Sequence, residues 1–306
     1  MTASLRDADL TAPTGRARLD KVVRDTQPSV SWGVVRRAIR TGKVRVDDAI
    51  VREPGELIGE GQRVVIAMAA PREPKLSLGD DAMVFADRHI VVVRKPAGIA
   101  SVPDQNWKRN ALSQVLAEKL RRGRTGKRQI PLGVVQRLDV DTTGLLVFTR
   151  SQEAHEPLKT QFKKRQVKRS YLAIVSGSAT DTTYRSYLRE HKNGKRSSTK
   201  HRHLGKYAVT HVEVIERLVG ATLVRCRLET GRTHQIRIHL SEAGHPLLGD
   251  ARYARRAVQT PQAPRVMLHA GELGFMHPVE EEELFFEEPM PEDMEAVLTR
   301  LRRPAT

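Results

Sequence analysis

Cysteine is nearly absent from this 306-residue chain; Cys226 is the only one. A single thiol excludes an intrachain disulfide and a thiolate metal cluster. Its setting in an alternating run predicts a small packed side chain in a strand. Long apolar stretches are missing as well. No uninterrupted run approaches the roughly 20 residues of a membrane helix, so no membrane span is expected. Met1 to Leu10 carries charges of both signs and no apolar segment. No secretory leader is expected from it, and the cytoplasm is the expected compartment. Neither His191, His201 and His203 nor His234, His239 and His245 form a recognisable metal-ligand pattern, so no metal is expected. Internal repeats are lacking. Acidic residues are the minority, with 53 Lys and Arg against 36 Asp and Glu and a net charge of +17. That balance argues for an anionic partner, nucleic acid first. What remains suffices for about two packed domains, since 39% of residues are hydrophobic.

Residues 1–15 are polar and contain Pro13 and Gly15, which predicts a loose tail. Leu19, Val22 and Val23 suit a short helix. Trp32, Val35 and Ile39 repeat at helical spacing behind Ser29 or Ser31 as a cap, and Thr41-Gly42 stops that helix. Val44–Val46 starts a strand that Asp47-Asp48 turns, and Gln62–Met68 is another. Arg36, Arg37, Arg40 and Lys43 gather here. A charge run of this kind suits a solvated helix face as readily as an RNA contact. Pro71–Lys75 reads as a linker. Ile90–Val93 is a buried-strand run leading into the Lys95-Pro96-Ala97-Gly98 turn. Asn110 is a candidate cap for a helix with Leu112, Val115, Leu116 and Leu120 on one face. Arg121–Arg128, with five basic residues in eight, is a basic loop.

Residues 136–149 are the centre of the chain. Asp139 lies in a polar loop ahead of Leu145–Phe148, a short buried strand. Spacing alone leaves Asp139 as a turn-closing residue or a catalytic one. Residues 152–167 suit a basic helix, and Tyr171 opens an apolar strand. Residues 189–207 read as a flexible loop. Leu223–Leu228 alternates, with Val224, Cys226 and Leu228 on one face. Thr233 is a sensible N-cap for a helix that Gly244 ends, in which Ile236 and Leu240 share a face. Residues 251–264 suit a loop, Met267–Ala270 and Leu284–Phe286 strands, and Met294, Val297, Leu298 and Leu301 a terminal helix.

Three motifs carry a resemblance. Arg137-Leu138-Asp139 with Asp141-Thr142-Thr143-Gly144-Leu145-Leu146 is similar to the catalytic motif of RluA-type RNA pseudouridine synthases. Lys168–Gly177, around Tyr171, resembles that family's second motif. Gly231–Leu240 with Gly244–Asp250 resembles its third. Gln136 stands where the family usually has His, which bears on the positioning of the loop. Arg18–Lys21, Val35–Val46 and Gly61–Val65 look like an S-four-like RNA-binding domain.

The resemblance implies an α+β fold: a catalytic domain with a mixed, largely antiparallel sheet, behind a small N-terminal α/β RNA-binding domain. The expected division is a tail at 1–15, the RNA-binding domain at 16–70, a linker at 71–82 and the catalytic domain at 83–306. It implies that Asp139, Tyr171 and Arg237 are catalytic. Arg137, Ile236 and Lys95 would meet the substrate, and Arg36, Arg37, Arg40 and Lys43 would meet RNA. A guanidinium at 237 would favour the charged form of Asp139 and aim its oxygens. Lys95 would steady the site or a phosphate. No cofactor is implied. The substrate is RNA, ribosomal favoured and transfer RNA open, and the protein is expected to act as a monomer. A fold-keeping RNA binder without activity is the alternative, and a histidine-based metal nuclease a more remote one.

Overall fold

A computed structural model of the chain describes residues 4–51, 54–69, 78–103, 111–122, 132–191, 196–254 and 261–302. Two compact units meet in the chain between Ser77 and Leu78. Asn110, the Pro71–Lys75 segment and most of the 121–128 run lie outside the described residues.

The first unit contains β1 (Ala8–Thr11), β2 (Ala17–Arg18), α1 (Leu19–Thr26), α2 (Trp32–Arg40), β3 (Val44–Val46), β4 (Ala49–Ile50), β5 (Leu57–Ile58) and β6 (Arg63–Ile66). Ser31 caps α2 by accepting from the Val34 amide. Gly42, at φ +74°, ends it with the amide of Lys43 bonded back to Ala38. The sheet order is β1-β6-β3-β4, and β2 pairs with β5. The polar N-terminal residues are not a tail throughout. Ala8 to Thr11 pair antiparallel with Ile66 to Arg63. Ala8 and Leu10 turn toward the core, while Asp9 holds Arg63 at 2.6 Å. A two-residue alternation with polar outer members is too faint to read as a strand from sequence.

The second unit runs β7 (Met83–Ala86), β8 (Ile90–Lys95), α3 (Leu112–Arg122), β9 (Gly133–Val134), β10 (Thr143–Thr149), α4 (Gln152–Lys163), β11 (Lys168–Ser176), β12 (Thr182–Glu190), β13 (Arg196–Thr199), β14 (Lys206–Leu218), β15 (Ala221–Leu228), α5 (Gln235–Glu242), β16 (Leu268–Met276), β17 (Glu283–Glu287) and α6 (Glu292–Arg302). Its sheet follows β13-β12-β14-β15-β11-β16-β10-β8-β7, with β17 on β16 and β9 on β10. Of these pairings only β10 with β16 is parallel.

The sheet centre is covered on both sides, which is why its strands read as unbroken apolar runs. Val91, Val93, Leu146 and Phe148 pack on one face with Leu112 and Leu116 of α3 and Ile236 and Leu240 of α5. Ile90, Val92, Leu145 and Val147 face the other way, onto Ala154 and Leu158 of α4. Ile174 meets Met294, Val297 and Leu298 of α6. Each of the Val, Leu, Ile, Phe and Met side chains among these contributes about 1.5–3 kcal/mol on burial.

Residues 189–207 are not a loop as a whole. β12 extends to Glu190 and pairs with β13 from Tyr187↔Thr199 to Glu190↔Arg196. Both strands are polar and mostly half-buried. A strand without a fully buried face leaves little hydrophobic pattern to read.

Candidate active site

Asp139 stands in a loop whose carbonyls from Leu138 to Thr142 are each engaged. The Ser101 hydroxyl donates to the Leu138 carbonyl at 2.8 Å and accepts from the Leu138 amide at 2.9 Å. The Asp139 carbonyl accepts from the Thr142 amide at 3.1 Å. The Lys95 ammonium donates to the carbonyls of Val140 (2.6 Å), Thr142 (2.9 Å) and Pro96 (2.9 Å). The Arg265 guanidinium reaches the Asp141 carbonyl at 3.2 Å and is itself forked to Asp293 at 2.6 and 2.7 Å. With its backbone tied from outside its own segment, the loop presents the carboxylate on a rigid base.

Lys95 is only 1% exposed. Burial pulls its ammonium down to about 7, while the charges of Asp141 and Asp139 push the other way. Its bonds go to backbone carbonyls, which fits the expected role of steadying the site rather than that of holding a phosphate.

Arg237 comes from the first turn of α5. Its Nη1 donates to Asp139 Oδ2 at 3.1 Å. Its Nε and Nη2 form a fork to Asp250 Oδ2 and Oδ1 at 2.7 and 2.9 Å. Burial opposes the Arg237 charge, but the hydrogen bonds and charge of Asp250, then of Asp139, overcome it and raise its pKa. The Tyr253 ring lies 5.1 Å from the guanidinium carbon. The Tyr253 hydroxyl is 2.7 Å from His234 Nδ1, and His234 Nε2 is 3.8 Å from Asp139 Oδ2. Burial pulls His234 down to about 4 against the charge of Asp139, so the imidazole is neutral near pH 7.

α5 does not start at Thr233. The cap is His234, in the left-handed region at φ +58° with no side-chain cap bond. The Gln235 amide oxygen accepts instead from the Thr230 hydroxyl and the Arg232 amide. Tyr253 is the partner that accompanies the unusual His234 backbone.

Tyr171 is 8% exposed and shares the cluster of Leu138 and Ile236. Burial raises its phenol pKa, Arg169 opposes this, and the nearby Asp139 charge raises it further. The structure thus brings Asp139, Tyr171, Arg237 and Ile236 together. Arg137, two positions before Asp139, is exposed. Gln136 is half-buried, and its amide nitrogen is buried without a hydrogen bond. Ser101, Asp250, Tyr253 and Arg265 escaped sequence reasoning, although Asp250 closes the third motif.

In the first unit, Arg37 and Arg40 are exposed. Arg36 is tied through Nε to Asp20 at 3.0 Å. Lys43 is only 9% exposed, so it is poorly presented to RNA, contrary to expectation. The histidines have ordinary partners: His239 bonds Thr210 and Ser186, each at 2.8 Å, and His245 the Ser176 carbonyl. Among the described residues no cluster of three or more His, Cys, Asp or Glu side chains is arranged to hold a metal.

Comparison with known proteins adds independent findings. The sequence profile of a family described as RNA pseudouridylate synthase matches residues 89–242, and that of the S4 domain matches 17–64. The chain is 35% identical to the uncharacterized RNA pseudouridine synthase YlyB of Bacillus subtilis, over 94% of each chain. It is 36% identical to the ribosomal large subunit pseudouridine synthase D of Zymomonas mobilis, over 93% of each. The solved structure of human RNA pseudouridylate synthase domain containing 4 superposes with a TM-score of 0.60 at 25% identity, covering 72% of this chain and 93% of that one.

Proposed function

We propose the reacting groups from one premise: this chain belongs to the RNA pseudouridylate synthase family, RluA type, with an S4 domain ahead of the catalytic unit. It is an isomerase that converts uridine in RNA to pseudouridine. Large-subunit ribosomal RNA is our assignment of the substrate, supported by relatives named for that activity. We assign the work to a monomer in the cytoplasm. No helix among the described residues is long and apolar enough to cross a membrane.

The observation that carries the assignment of residues is the Asp139–Arg237 contact at 3.1 Å, with Tyr171 near enough for its phenol to feel the Asp139 charge. The target uridine leaves its stack to reach a site of this kind. Arg237 engages Oδ2 of Asp139, and Oδ1 is the oxygen assigned to the nucleotide. The bond from uracil N1 to ribose C1′ breaks, the uracil turns, and C5 bonds to C1′ as its proton leaves. Asp139 serves this sequence either as a nucleophile toward the ribose or as a base. Tyr171 and Ile236 form the walls against which uracil turns. The raised pKa keeps the Tyr171 phenol neutral when uracil arrives. It can take the C5 proton only as its own O–H proton passes on to a second acceptor, the Asp139 carboxylate or water. Arg137, exposed two positions before Asp139, helps displace or hold the flipped base.

Tritium release from RNA labelled at uridine C5 tests the assignment. Asp139→Asn is expected to abolish release while RNA affinity stays within about twofold of wild type. Turnover by that variant at the wild-type rate would remove Asp139 from the chemistry.

A further inference from the structure

Aromatic residues make up 4% of the chain, and only two are tryptophans. One of these, Trp32, opens α2 with 43% of its surface exposed. The guanidinium carbons of Arg36 and Arg24 lie 5.3 and 5.9 Å from its ring centroid. Arg36 is held in place rather than loosely solvated. Its Nε bonds Asp20 Oδ2 at 3.0 Å, and the buried Asp20 also binds Nε and Nη2 of Arg18 at 3.0 Å each. Only Nε of Arg36 is used in this contact, and the residue remains partly exposed.

Cation–π contact explains how a surface ring is tolerated, at about 0.5–1 kcal/mol for an exposed pair. It does not say what the open surface meets. The surrounding charge does. Residues 16–45 hold nine Lys and Arg against two Asp, and Asp20 already answers to two of the guanidiniums. Arg37 and Arg40 are exposed on the same helix. An anionic chain with flat apolar faces is complementary to a ring set among arginines, and that describes an unpaired RNA strand. A duplex satisfies the charge but keeps its base faces stacked.

We propose that Trp32 is a stacking platform for one unpaired base of the RNA, flanked by Arg36, with Arg37 and Arg40 on the adjoining phosphates. This deepens the reading of the chain as an RNA-modifying enzyme and rests on it. The test uses the full chain, an adenylate oligomer of about twelve nucleotides and a blunt duplex of equal charge. Trp32→Ala is expected to weaken oligomer binding about 5- to 100-fold, the range of one base–aromatic stack. Duplex binding and the slope of affinity against salt should stay unchanged, and Trp32→Phe should retain most of the affinity. In a Trp107→Phe background, the oligomer should quench Trp32 fluorescence and the duplex should not. Equal loss on oligomer and duplex, or oligomer binding within twofold of wild type, overturns the platform. Should Trp32→Ala fail to fold, the quenching and Trp32→Phe measurements decide alone. Tritium release without a Trp32 effect overturns only the platform. A Trp32 effect without tritium release overturns only the assigned reaction.

Discussion

Asp250 governs how Arg237 meets Asp139. Two guanidinium nitrogens are fixed on Asp250, so the third has one direction left, toward Asp139 Oδ2. Asp250→Asn removes the charge at nearly constant shape and leaves a buried cation short of its counterion. The expected loss is roughly 3–5 kcal/mol of unfolding free energy, the range for breaking a buried pair. Turnover should fall about a hundredfold through misplacement of the carboxylate. Denaturant melts and single-turnover tritium release check the two effects separately. Stability within about 1 kcal/mol of wild type would mean that the fork is not holding Arg237. The motifs named Asp139, Tyr171, Arg237 and Ile236 because they lie in contiguous, recognisable runs. Ser101 and Arg265 bond this loop from 37 and 124 positions away, and no local spacing announces them. Lys95 was legible as a residue but not in its direction, because a Lys-Pro turn reads alike whether its ammonium faces solvent or carbonyls.

Strand β10 is held between antiparallel β8 and parallel β16. Gly144 makes the second contact possible. It sits at φ +108°, and an added Cβ would fall 2.2 Å from the Ala270 carbonyl oxygen, a backbone atom that cannot swing aside. Gly144→Ala is expected to cost roughly 2–4 kcal/mol, through strain and a forced β10–β16 shift, read by thermal melting. A change under about 0.5 kcal/mol would show that the strands part easily. Strands with two covered faces were legible as apolar runs, and the caps and turns of the first unit as their residue types. β12 and β13 were not, since wet strands resemble loops, and α5 was misplaced by one residue because a tertiary contact attends His234.

The same helix carries an acid sensitivity. Burial pulls both His234 and His239 down to about 4 from 6.5. Between these values the unfolded chain binds more protons than the folded one, so stability falls as pH drops from about 6.5 toward about 4. Above that window both histidines are neutral in both states and their contribution is complete. His239→Gln should flatten the decline, as measured by urea midpoints near pH 7 and about pH 4.5. An unaltered slope would put the acid sensitivity elsewhere.

Across the whole molecule, the +17 charge pointed to an anionic partner without saying which cations meet it. Arg37 and Arg40 are exposed, Arg36 is tethered, and Lys43 is mostly covered. Arg37→Ala with Arg40→Ala should reduce the slope of log affinity against log salt by about 1–2, as expected for one or two lost phosphate contacts. Lys43→Ala should leave it unchanged. A slope unmoved by the double change would return those arginines to plain solvation.

Beneath the Asp139 loop lie donors of another kind, the Lys95 amine nitrogen and the Arg265 guanidinium, covered by protein and aimed at carbonyls. Dissolved ions screen charges across water far better than charges sealed within a fold. Rising ionic strength therefore loosens the enzyme's grip on its polymer while the seat of bond exchange keeps its shape. A strand already captured in brine would meet the same unmoved carboxylate as one captured in dilute buffer.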